Sequence, residues 1–302
     1  MINKVAMITI VGRPNVGKST LTNALTGDKV AIVSPKPQTT RNRIFGVFAY
    51  DETQIVLLDT PGFHKARTRL GDYMVGVVKE SIADVDAIAL IVEPVDSIGT
   101  QEEMLINHIS MSGIPAMLVI NKVDTVRVEQ VLPVIERYSQ RYQFDAIVPI
   151  SAKTGDGLPQ LLAVMNKYAK DGQQLFPDDM TTDQPEKQII AEIIREKLLI
   201  CLEREIPHGA AVEITKFSER ISEGTQDAII DVDATIYCEK KSHKGIIIGK
   251  NGAMLKKVGQ LAREDTERFM GAKVYLQTWV KVKENWRDNK TMIRNFGYVK
   301  CF

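Results

Sequence analysis

The pattern of apolar and polar positions predicts an α/β region over residues 1–170. Short apolar runs alternate there with stretches whose apolar residues recur at helical spacing, which is typical of a sheet covered by helices on both faces. Strands are predicted at residues 5–11, 44–50, 54–59, 86–93, 114–120 and 146–150. Helices are predicted at residues 18–25, 100–112, 126–142 and 158–170. The short connection between the second and third strands predicts an antiparallel pair at one edge of a mixed, mostly parallel sheet.

A different pattern follows a polar segment that is interrupted by two prolines. Residues 171–187 have no periodicity and predict a linker between a domain of residues 1–170 and a domain of residues 188–302. The second domain begins with an amphipathic helix, continues with two strands, two helices and a further strand, and ends in a short amphipathic tail. This order, α-β-β-α-α-β, predicts an α+β domain.

Residues 12–19 match the G-x-x-x-x-G-K-S pattern of a phosphate-binding loop. The pattern lies between a predicted strand and a predicted helix, where backbone N–H groups and the positive end of the helix dipole attract phosphate. We expect Lys18 to bridge the β- and γ-phosphates and Ser19 to bind Mg²⁺. A chance glycine-rich turn is the alternative for this motif alone. The candidate nucleotide-binding residues are Gly12, Arg13, Pro14, Asn15, Val16, Gly17, Lys18, Ser19 and Thr20.

Two further segments predict the side of the site that senses the metal and the γ-phosphate. The predicted strand 54–59 ends in Asp59-Thr60-Pro61-Gly62, where a carboxylate holds Mg²⁺ in phosphate-loop NTPases and a glycine N–H can contact the γ-phosphate. Of the two threonines in the loop 34–41 we favour Thr40 over Thr39 as the second hydroxyl ligand. The predicted metal ligands are Ser19, Thr40 and Asp59. The predicted catalytic residues are Lys18, Thr40 and Gly62.

The residue after this motif is Phe63, although the familiar switch GTPases have a glutamine there that orients the attacking water. Hydrolysis must then be promoted by a cation, a partner or another residue. His64 is adjacent and is a candidate base, but an exposed loop histidine is the favoured interpretation.

Two later segments predict recognition of guanine. The predicted strand 114–120 leads into Asn121-Lys122-Val123-Asp124, and the Asp124 carboxylate can accept hydrogen bonds from both N1–H and the N2 amine of guanine. Adenine lacks that donor pair. Asn121 would brace the loop and the Lys122 stem would cover the base. The segment Ser151-Ala152-Lys153 follows the next strand and is expected to offer a backbone N–H to guanine O6. These motifs, in this order, predict a GTPase domain.

Composition and charge indicate a second binding partner besides the nucleotide. The chain of 302 residues is 44% hydrophobic and 25% charged, which is typical of a folded protein with more than one domain. Its three cysteines form no C-x-x-C pair, which favours a reducing cytoplasm, and neither a signal peptide nor a bilayer-spanning run is expected. Residues 240–302 contain 15 Lys and Arg against 5 Asp and Glu. This excess predicts a polyanionic partner, either nucleic acid or an anionic membrane, although a solvated lysine-rich face is the plainer alternative.

Within this basic stretch, Gly249-Lys250-Asn251-Gly252 is a GXXG loop between two predicted helices. In the KH domain such a loop grips the backbone of four single-stranded nucleotides, and the order α-β-β-α-α-β is its type II arrangement. We expect Trp279 and Trp286 to serve packing, with stacking on bases as the alternative. The candidate RNA-binding residues are Lys244, Ile246, Ile247, Ile248, Gly249, Lys250, Asn251, Gly252 and Lys256.

The whole chain resembles the bacterial Era GTPase family. Residues 12–19, 38–41, 59–62, 121–124 and 151–153 are similar to its five G motifs, and residues 249–252 and 279–283 are similar to parts of its C-terminal KH domain. The resemblance implies a GTP-hydrolysing switch that binds GTP and GDP with Mg²⁺. It also implies binding to the 3′ end of small-subunit ribosomal RNA, a role in assembly of the 30S subunit, and peripheral contact with the inner membrane. We expect a monomer.

The sequence is compatible with several alternatives. Asn15 resembles an asparagine that ligates K⁺ in several related GTPases, but it would equally suit a turn after Pro14. A membrane-associated cell-cycle GTPase, whose basic C-terminal face binds anionic lipid, is the alternative to an RNA-binding switch. A GTPase that serves a tRNA-modifying enzyme is a third hypothesis, and no cysteine motif supports it.

Overall fold

The computed structural model describes residues 2–63, 68–203, 206–221 and 228–298. The described chain divides into two compact units, one formed by most of residues 2–183 and the other mainly by residues 184–298. The division therefore falls inside the segment 171–187 predicted as the linker. No helix among the described residues is long and apolar enough to cross a bilayer.

The first unit is built on a mixed sheet. Its strands are β1 (Lys4–Gly12), β2 (Ile44–Tyr50), β3 (Thr53–Asp59), β4 (Ala87–Val92), β5 (Ala116–Ile120), β6 (Ala146–Pro149) and β7 (Lys170–Asp171). The order is β2-β3-β1-β4-β5-β6, with β7 beside the start of β1. The pairs β3–β1–β4–β5–β6 are parallel, and β2 is antiparallel to β3. The predicted mixed, mostly parallel sheet is confirmed.

Helices cover both faces of this sheet. They are α1 (Lys18–Thr26), α2 (Arg69–Glu80), α3 (Thr100–Ser112), α4 (Val131–Arg141) and α5 (Leu158–Asn166). One apolar core joins α1 and α5 to Ile8 and Ile10 of β1, and the other joins α2, α3 and α4 to Ile88 and Leu90 of β4. Because neighbouring strand residues point to opposite faces, the nearly uninterrupted apolar strands fill both cores.

Three local features differ from the sequence prediction. The helix α2 was not predicted, because Gly71 and Gly76 weaken its helical signal, but its buried Met74 and Val78 hold it in place. The helix α4 begins at Val131, after short 3-10 turns at Val123–Thr125 and Val128–Gln130. The helix α5 ends at Asn166, so that residues 170–171 can join the sheet beside β1.

Part of the segment predicted as a linker packs on the first unit. The Gln54 side chain accepts from the Leu175 and Phe176 N–H groups and donates to the Phe176 carbonyl at 2.7 Å. The Val47 N–H donates to the Thr181 carbonyl at 2.8 Å. These contacts place residues 175–181 along the β2–β3 edge.

The second unit has the predicted order of elements. These are α6 (Glu186–Cys201), β8 (Ala211–Ile221), β9 (Ala228–Cys238), α7 (Lys241–Ile248), α8 (Ala253–Met270), β10 (Lys273–Val282) and a short α9 (Lys290–Asn295). The sheet order is β10-β9-β8, with β10 parallel and β8 antiparallel to β9. A core of apolar residues from α6, α8 and the sheet lies on one side. The α-β-β-α-α-β prediction is confirmed.

The C-terminal tail closes one end of this unit. Trp286 is fully buried, and its indole N–H donates to the Gly209 carbonyl at 2.9 Å. Phe296 lies edge-on to Trp286 and also contacts Tyr237. Trp286 therefore serves packing, as expected from the sequence.

Candidate functional site

The turn between β1 and α1 is in close contact with β4 and with the Asn121 side chain. A Cβ atom on Gly12 would lie 2.4 Å from the Ile91 carbonyl oxygen, and one on Gly17 would lie 2.2 Å from the Asn121 amide nitrogen. Gly17 also has a φ of 100°, in the left-handed region that favours glycine. Both glycines are therefore required for the loop to pass its neighbours. Ser19 and Thr20 follow in the first turn of α1.

Lys18 lies under this loop rather than in solvent. Its ammonium group donates to the Gly12 carbonyl at 3.2 Å and to the Arg13 carbonyl at 2.9 Å. Burial lowers the pKa of Lys18 to about 8, against the opposing effect of the Asp59 charge. Burial likewise raises the pKa of Asp59 to about 6, against Lys18 and a hydrogen bond from Ser19. Each buried charge would be stabilised by a ligand of opposite charge.

Three predicted metal ligands meet at the start of α1. The Ser19 hydroxyl lies 2.7 Å from the Thr40 hydroxyl and donates to Asp59 Oδ2 at 2.6 Å. Thr40 and Asp59 are both buried. The second oxygen, Asp59 Oδ1, is buried and has no hydrogen-bond partner among the described residues. A cluster of hydroxyl and carboxylate oxygens with one unsatisfied acceptor fits a hard divalent cation.

The segment after β3 packs on the phosphate-binding loop. The Thr60 hydroxyl donates to the Ile10 carbonyl at 2.7 Å, and Pro61 is buried beside it. A Cβ atom on Gly62 would lie 2.7 Å from the backbone nitrogen of Pro14. Gly62 is therefore in direct contact with the loop whose ligand it is predicted to sense.

Phe63 is not directed at the nucleotide site. Its N–H donates to the Gly12 carbonyl at 3.0 Å, while its side chain is 3% exposed and belongs to the core formed with α3 and α4. The ring faces His108, with ring centroids 6.2 Å apart. The side chain in the glutamine position thus serves packing. His64 lies outside the described residues.

Asn121 ties the predicted base-recognition segments to the phosphate-binding loop. Its side-chain amide donates to the Val16 carbonyl at 2.8 Å, and its side-chain oxygen accepts from the Ala152 N–H at 2.9 Å. Ser151 is fully buried. Asp124 lies in an exposed turn beyond Asn121. Asn121 therefore braces both segments, as the sequence predicts.

A charged cluster that the sequence did not predict lies beside these segments. Glu93, directly after β4, forms ion pairs with Lys122 at 2.5 Å and with Arg13 at 3.3 Å. Arg13 also pairs with the buried Glu102 of α3. The Lys122 ammonium donates in addition to the Asn15 carbonyl at 2.6 Å. The Arg13 side chain is thus held by carboxylates. The signal for a role of Glu93 in the sequence was its position, as an acidic residue directly after an apolar strand.

In the second unit, the GXXG segment forms the turn between α7 and α8. Gly249 and Gly252 have φ values of 74° and 78°, and Asn251 has a φ of 52°. A Cβ atom on Gly249 would lie 2.7 Å from that of Met254, so this position requires glycine. Lys244, Lys250 and Asn251 are exposed. The loop thus presents backbone and a cation to solvent.

The three isoleucines before this loop have different environments. Ile246 is 49% exposed, and Ile248 is partly buried against the core. Ile247 is fully buried within the core. The prediction that all three bind RNA is wrong for Ile247, because successive residues of a helix point in different directions and this side chain points into the core.

A groove of about 550 Å³ runs from the GXXG loop along α8 and β10. Of the predicted RNA-binding residues, Gly252 and Lys256 line it. The other residues that line the groove were not predicted from the sequence. Their signal in the sequence was the helical spacing of residues along α8 and the alternation of residues along β10. They are Leu255, Gly259, Gln260, Arg263, Leu276 and Thr278.

Comparisons with known proteins match both units. A family model described as "50S ribosome-binding GTPase" matches residues 7–122, and one described as "KH domain" matches residues 205–287. GTPase Era of Ruminiclostridium cellulolyticum is 49% identical over 99% of this chain and 98% of its own length. GTPase Era of Caldanaerobacter subterraneus subsp. tengcongensis is 48% identical over 99% of both chains.

Solved structures of Era have the same fold. Era in complex with MgGDPNP and nucleotides 1506–1542 of 16S ribosomal RNA superposes with a TM-score of 0.94, at 38% identity over 99% of this chain and all of that chain. A point variant of Aquifex aeolicus Era bound to GDP·AlF4⁻ gives a TM-score of 0.93, at 39% identity over 98% of this chain and all of that chain. With a nucleotide-type site in one unit, a KH domain in the other and full-length similarity throughout, the chain belongs to the Era GTPase family.

Proposed function

We propose that this GTPase is a Mg²⁺-dependent switch that binds the 3′ end of small-subunit ribosomal RNA and acts in assembly of the 30S subunit. The observation that carries the proposal is the presence, in one chain, of a guanine-type nucleotide site braced by Asn121 and of a GXXG groove on a KH fold. The Era relative whose structure holds both MgGDPNP and 16S ribosomal RNA nucleotides supports the same pairing.

The first unit would hold GTP or GDP along the phosphate-binding loop. Lys18 would leave the Gly12 and Arg13 carbonyls for the β- and γ-phosphates. Ser19, Thr40 and Asp59 would hold Mg²⁺, and the unsatisfied Asp59 Oδ1 is an acceptor available to it or to its water. Bound there, Mg²⁺ would neutralise charge that develops on the phosphates.

Guanine would bind at the carboxyl ends of β5 and β6, next to the segments that follow these strands. Asp124 would accept from N1–H and the N2 amine, and the stem of Lys122 would cover the base. The Ser151 N–H already donates to Asp156 and the Ala152 N–H to Asn121, both at 2.9 Å. The Lys153 N–H is therefore our choice as the donor to guanine O6.

Hydrolysis would rely on Lys18, Thr40 and Gly62, together with a group that replaces the absent glutamine. The buried position of Phe63 favours a group from elsewhere. We propose K⁺ held with the help of the Asn15 side chain, which is exposed beside the loop. A turn-forming role of Asn15 is the competing explanation, and its φ of 67° suits that role as well.

Single-stranded RNA would occupy the groove of the second unit. The GXXG backbone would approach the phosphates, Lys250 and Lys256 would supply charge, and Leu276 and Thr278 would contact the bases. Lys244, Ile246, Ile248 and Asn251 would border the entry. We place this activity in the cytoplasm, in a monomer.

Binding of the basic C-terminal unit to anionic lipid at the inner membrane is the second candidate function. It is favoured by the excess of Lys and Arg in residues 240–302. The test is to titrate the full chain, loaded with a GTP analogue and Mg²⁺, with the 1506–1542 segment of 16S ribosomal RNA and with vesicles rich in phosphatidylglycerol. Saturable RNA binding that is lost in Lys250→Asp/Gly252→Asp supports the proposal. Vesicle binding without RNA binding would establish the membrane function instead.

A further inference from the structure

The strand β10 exposes a row of cationic and aromatic side chains on the face away from the core. Its odd-numbered residues, which point to that face, are Lys273, Tyr275, Gln277, Trp279 and Lys281. Tyr275 is 53% and Trp279 is 43% exposed, and the three lysine and glutamine side chains are exposed or half-exposed beside them. Both aromatic rings therefore lie on one face of a single strand, between Lys273 and Lys281.

The neighbouring strands contribute carboxylates to this face but leave its positive charge in excess. On β9, Asp231 lies opposite Tyr275 and Asp233 lies opposite Gln277. Asp231 is already paired with Arg220 of β8 at 3.0 Å, and Asp233 is in register with Lys216 of β8. By contrast, Lys273 and Lys281 form no ion pair within the described part of the chain.

The C-terminal tail, as far as residue 298 where the described chain ends, does not cover the exposed rings. It covers the other end of the same face, where Tyr237 is buried against Phe296 and Thr235 is only 2% exposed. Trp279 lies in register with Thr235, at the border of the covered area. Tyr275 and Trp279 are four residues apart, or about 13 Å along the strand. The Tyr275 hydroxyl accepts from the Gln277 amide at 2.9 Å, which restrains its ring.

We propose that this outer face of β10 is a second contact surface for single-stranded RNA. Tyr275 and Trp279 are the stacking platforms, and Lys273 and Lys281 are the phosphate contacts. Aromatic side chains on a sheet face, with cations beside them, bind unpaired bases in other RNA-binding domains. The inference rests on the proposed RNA-binding function, because it extends the strand held in the groove.

The topology favours RNA over other occupants, because β10 contributes to both surfaces. Its even-numbered residues Leu276 and Thr278 line the groove, while its odd-numbered residues form the outer face. The strand β10 lies at the edge of the sheet order β10-β9-β8, so a strand of RNA can pass from the groove around this edge. A partner that already fills the groove can therefore reach the rings without a second binding event.

The test compares long and short RNA on the full chain with a bound GTP analogue and Mg²⁺. The probes are the labelled 1506–1542 segment of 16S ribosomal RNA and nested oligonucleotides cut from it, down to about four nucleotides, the length that a GXXG groove holds. We expect Tyr275→Thr/Trp279→Thr to bind the long RNA at least about tenfold more weakly, since each stacked base contributes substantially to affinity. The shortest oligonucleotide that still binds should be unaffected, whereas Lys250→Asp/Gly252→Asp should lose both.

Two matched variants keep the result interpretable. Ile221→Thr removes a side chain that is 69% exposed from β8, at the opposite edge of the sheet, and should not change RNA affinity. Trp279→Phe retains an aromatic ring and should retain most of the affinity. Trp279 is the exposed member of the two tryptophans, and Trp286 is buried. Long RNA should therefore quench fluorescence in the parent protein and not in Trp279→Phe.

Three results would overturn the inference. The first is unchanged affinity of the double threonine variant for long RNA. The second is an equal loss of affinity for long and short RNA. The third is that this variant keeps its RNA binding and instead loses binding to phosphatidylglycerol vesicles or loses self-association. Failure of the parent protein to bind any of the RNAs would instead remove the proposed function, and with it this surface. Melting temperatures within a few degrees of the parent confirm that the variants are folded.

Discussion

The side-chain amide of Asn121 donates to the main-chain carbonyl of Val16 at 2.8 Å, across 105 positions of sequence. Through this bond the segment predicted to read the base fixes the predicted phosphate-binding loop. The same side chain accepts from Ala152, so three motifs share one buried amide. Gly17 leaves space for the Asn121 amide, because the side chain of any larger residue at this position would displace it.

Replacing Asn121 should therefore affect the whole nucleotide site. We expect Asn121→Ala to lower the free energy of unfolding of the nucleotide-free protein by about 2–4 kcal/mol, because two hydrogen bonds are lost and buried partners are left unsatisfied. GDP affinity should fall as well. Thermal unfolding and titration with a fluorescent GDP analogue measure the two effects. Asn107→Ala, which removes an exposed amide that accepts from Arg141, is the matched control. Equal melting temperatures for the two variants would contradict the bracing role.

Asp124→Asn should change which nucleotide is bound. The substitution exchanges one acceptor for a donor, which opposes the guanine N2 amine and suits O2 of xanthine. We expect affinity for GTP to fall at least about 100-fold, since charge-assisted hydrogen bonds are lost, and affinity for xanthosine triphosphate to rise. Competition titrations with the two nucleotides measure the shift. Asp96→Asn removes an exposed carboxylate paired with Arg137 and should change neither affinity. Unchanged GTP binding by Asp124→Asn would remove Asp124 from base recognition.

Two adjacent lysines on α8 make it possible to test whether RNA binds in the groove. Lys256 lines it, whereas Lys257 is exposed but does not line it. For a single-stranded RNA, each phosphate contact adds about 0.7 to the slope of log affinity against log salt. We expect Lys256→Gln to reduce that slope by about this amount and Lys257→Gln to leave it nearly unchanged. Equal slopes for both variants would argue that charge acts diffusely and that the groove is not the binding site.

Lys250→Asp with Gly252→Asp should weaken RNA binding and leave GTP hydrolysis by the isolated protein nearly intact. Lys250 is exposed, and a Cβ atom on Gly252 would meet nothing within 4 Å, so both carboxylates fit and face the RNA phosphates. Its φ of 78° is a conformation that aspartate tolerates better than most residues. RNA affinity that survives at physiological salt would contradict the role of the GXXG loop.

Much of the fold and of the nucleotide site could be predicted because the G motifs are contiguous in sequence. Lys18 and Ser19 are adjacent at the start of α1, and the strands that precede the motifs have strong apolar runs. Glu93 and Glu102 could not be predicted, because their contacts with Arg13 depend on how β4 and α3 pack. The helix α2 was missed because its two glycines weaken the local signal and tertiary burial compensates for them. For Ile247, a run of three isoleucines gave no information on which residue turns towards the core.

Asn15 is the residue that most directly tests the proposed hydrolysis mechanism, because Phe63 is buried in the core. If the Asn15 side chain helps to hold K⁺ near the phosphates, the cation would stabilise charge that other GTPases neutralise with an arginine finger. Its main-chain carbonyl accepts from Lys122, which lies in the predicted base-recognition segment. We therefore expect faster hydrolysis in K⁺ than in Na⁺ at equal ionic strength, and loss of that difference in Asn15→Ala.

A glycine variant separates this role from turn formation. Asn15 has a φ of 67°, which glycine adopts without strain and alanine does not. Asn15→Gly should keep the loop conformation and GDP affinity, yet lose the preference for K⁺. Single-turnover hydrolysis in the two salts, with GDP affinity measured in parallel, distinguishes the explanations. Full K⁺ stimulation in Asn15→Gly would assign Asn15 to the turn, and equal rates in both salts for the parent protein would remove the cation and return attention to His64 or to a group supplied by the RNA.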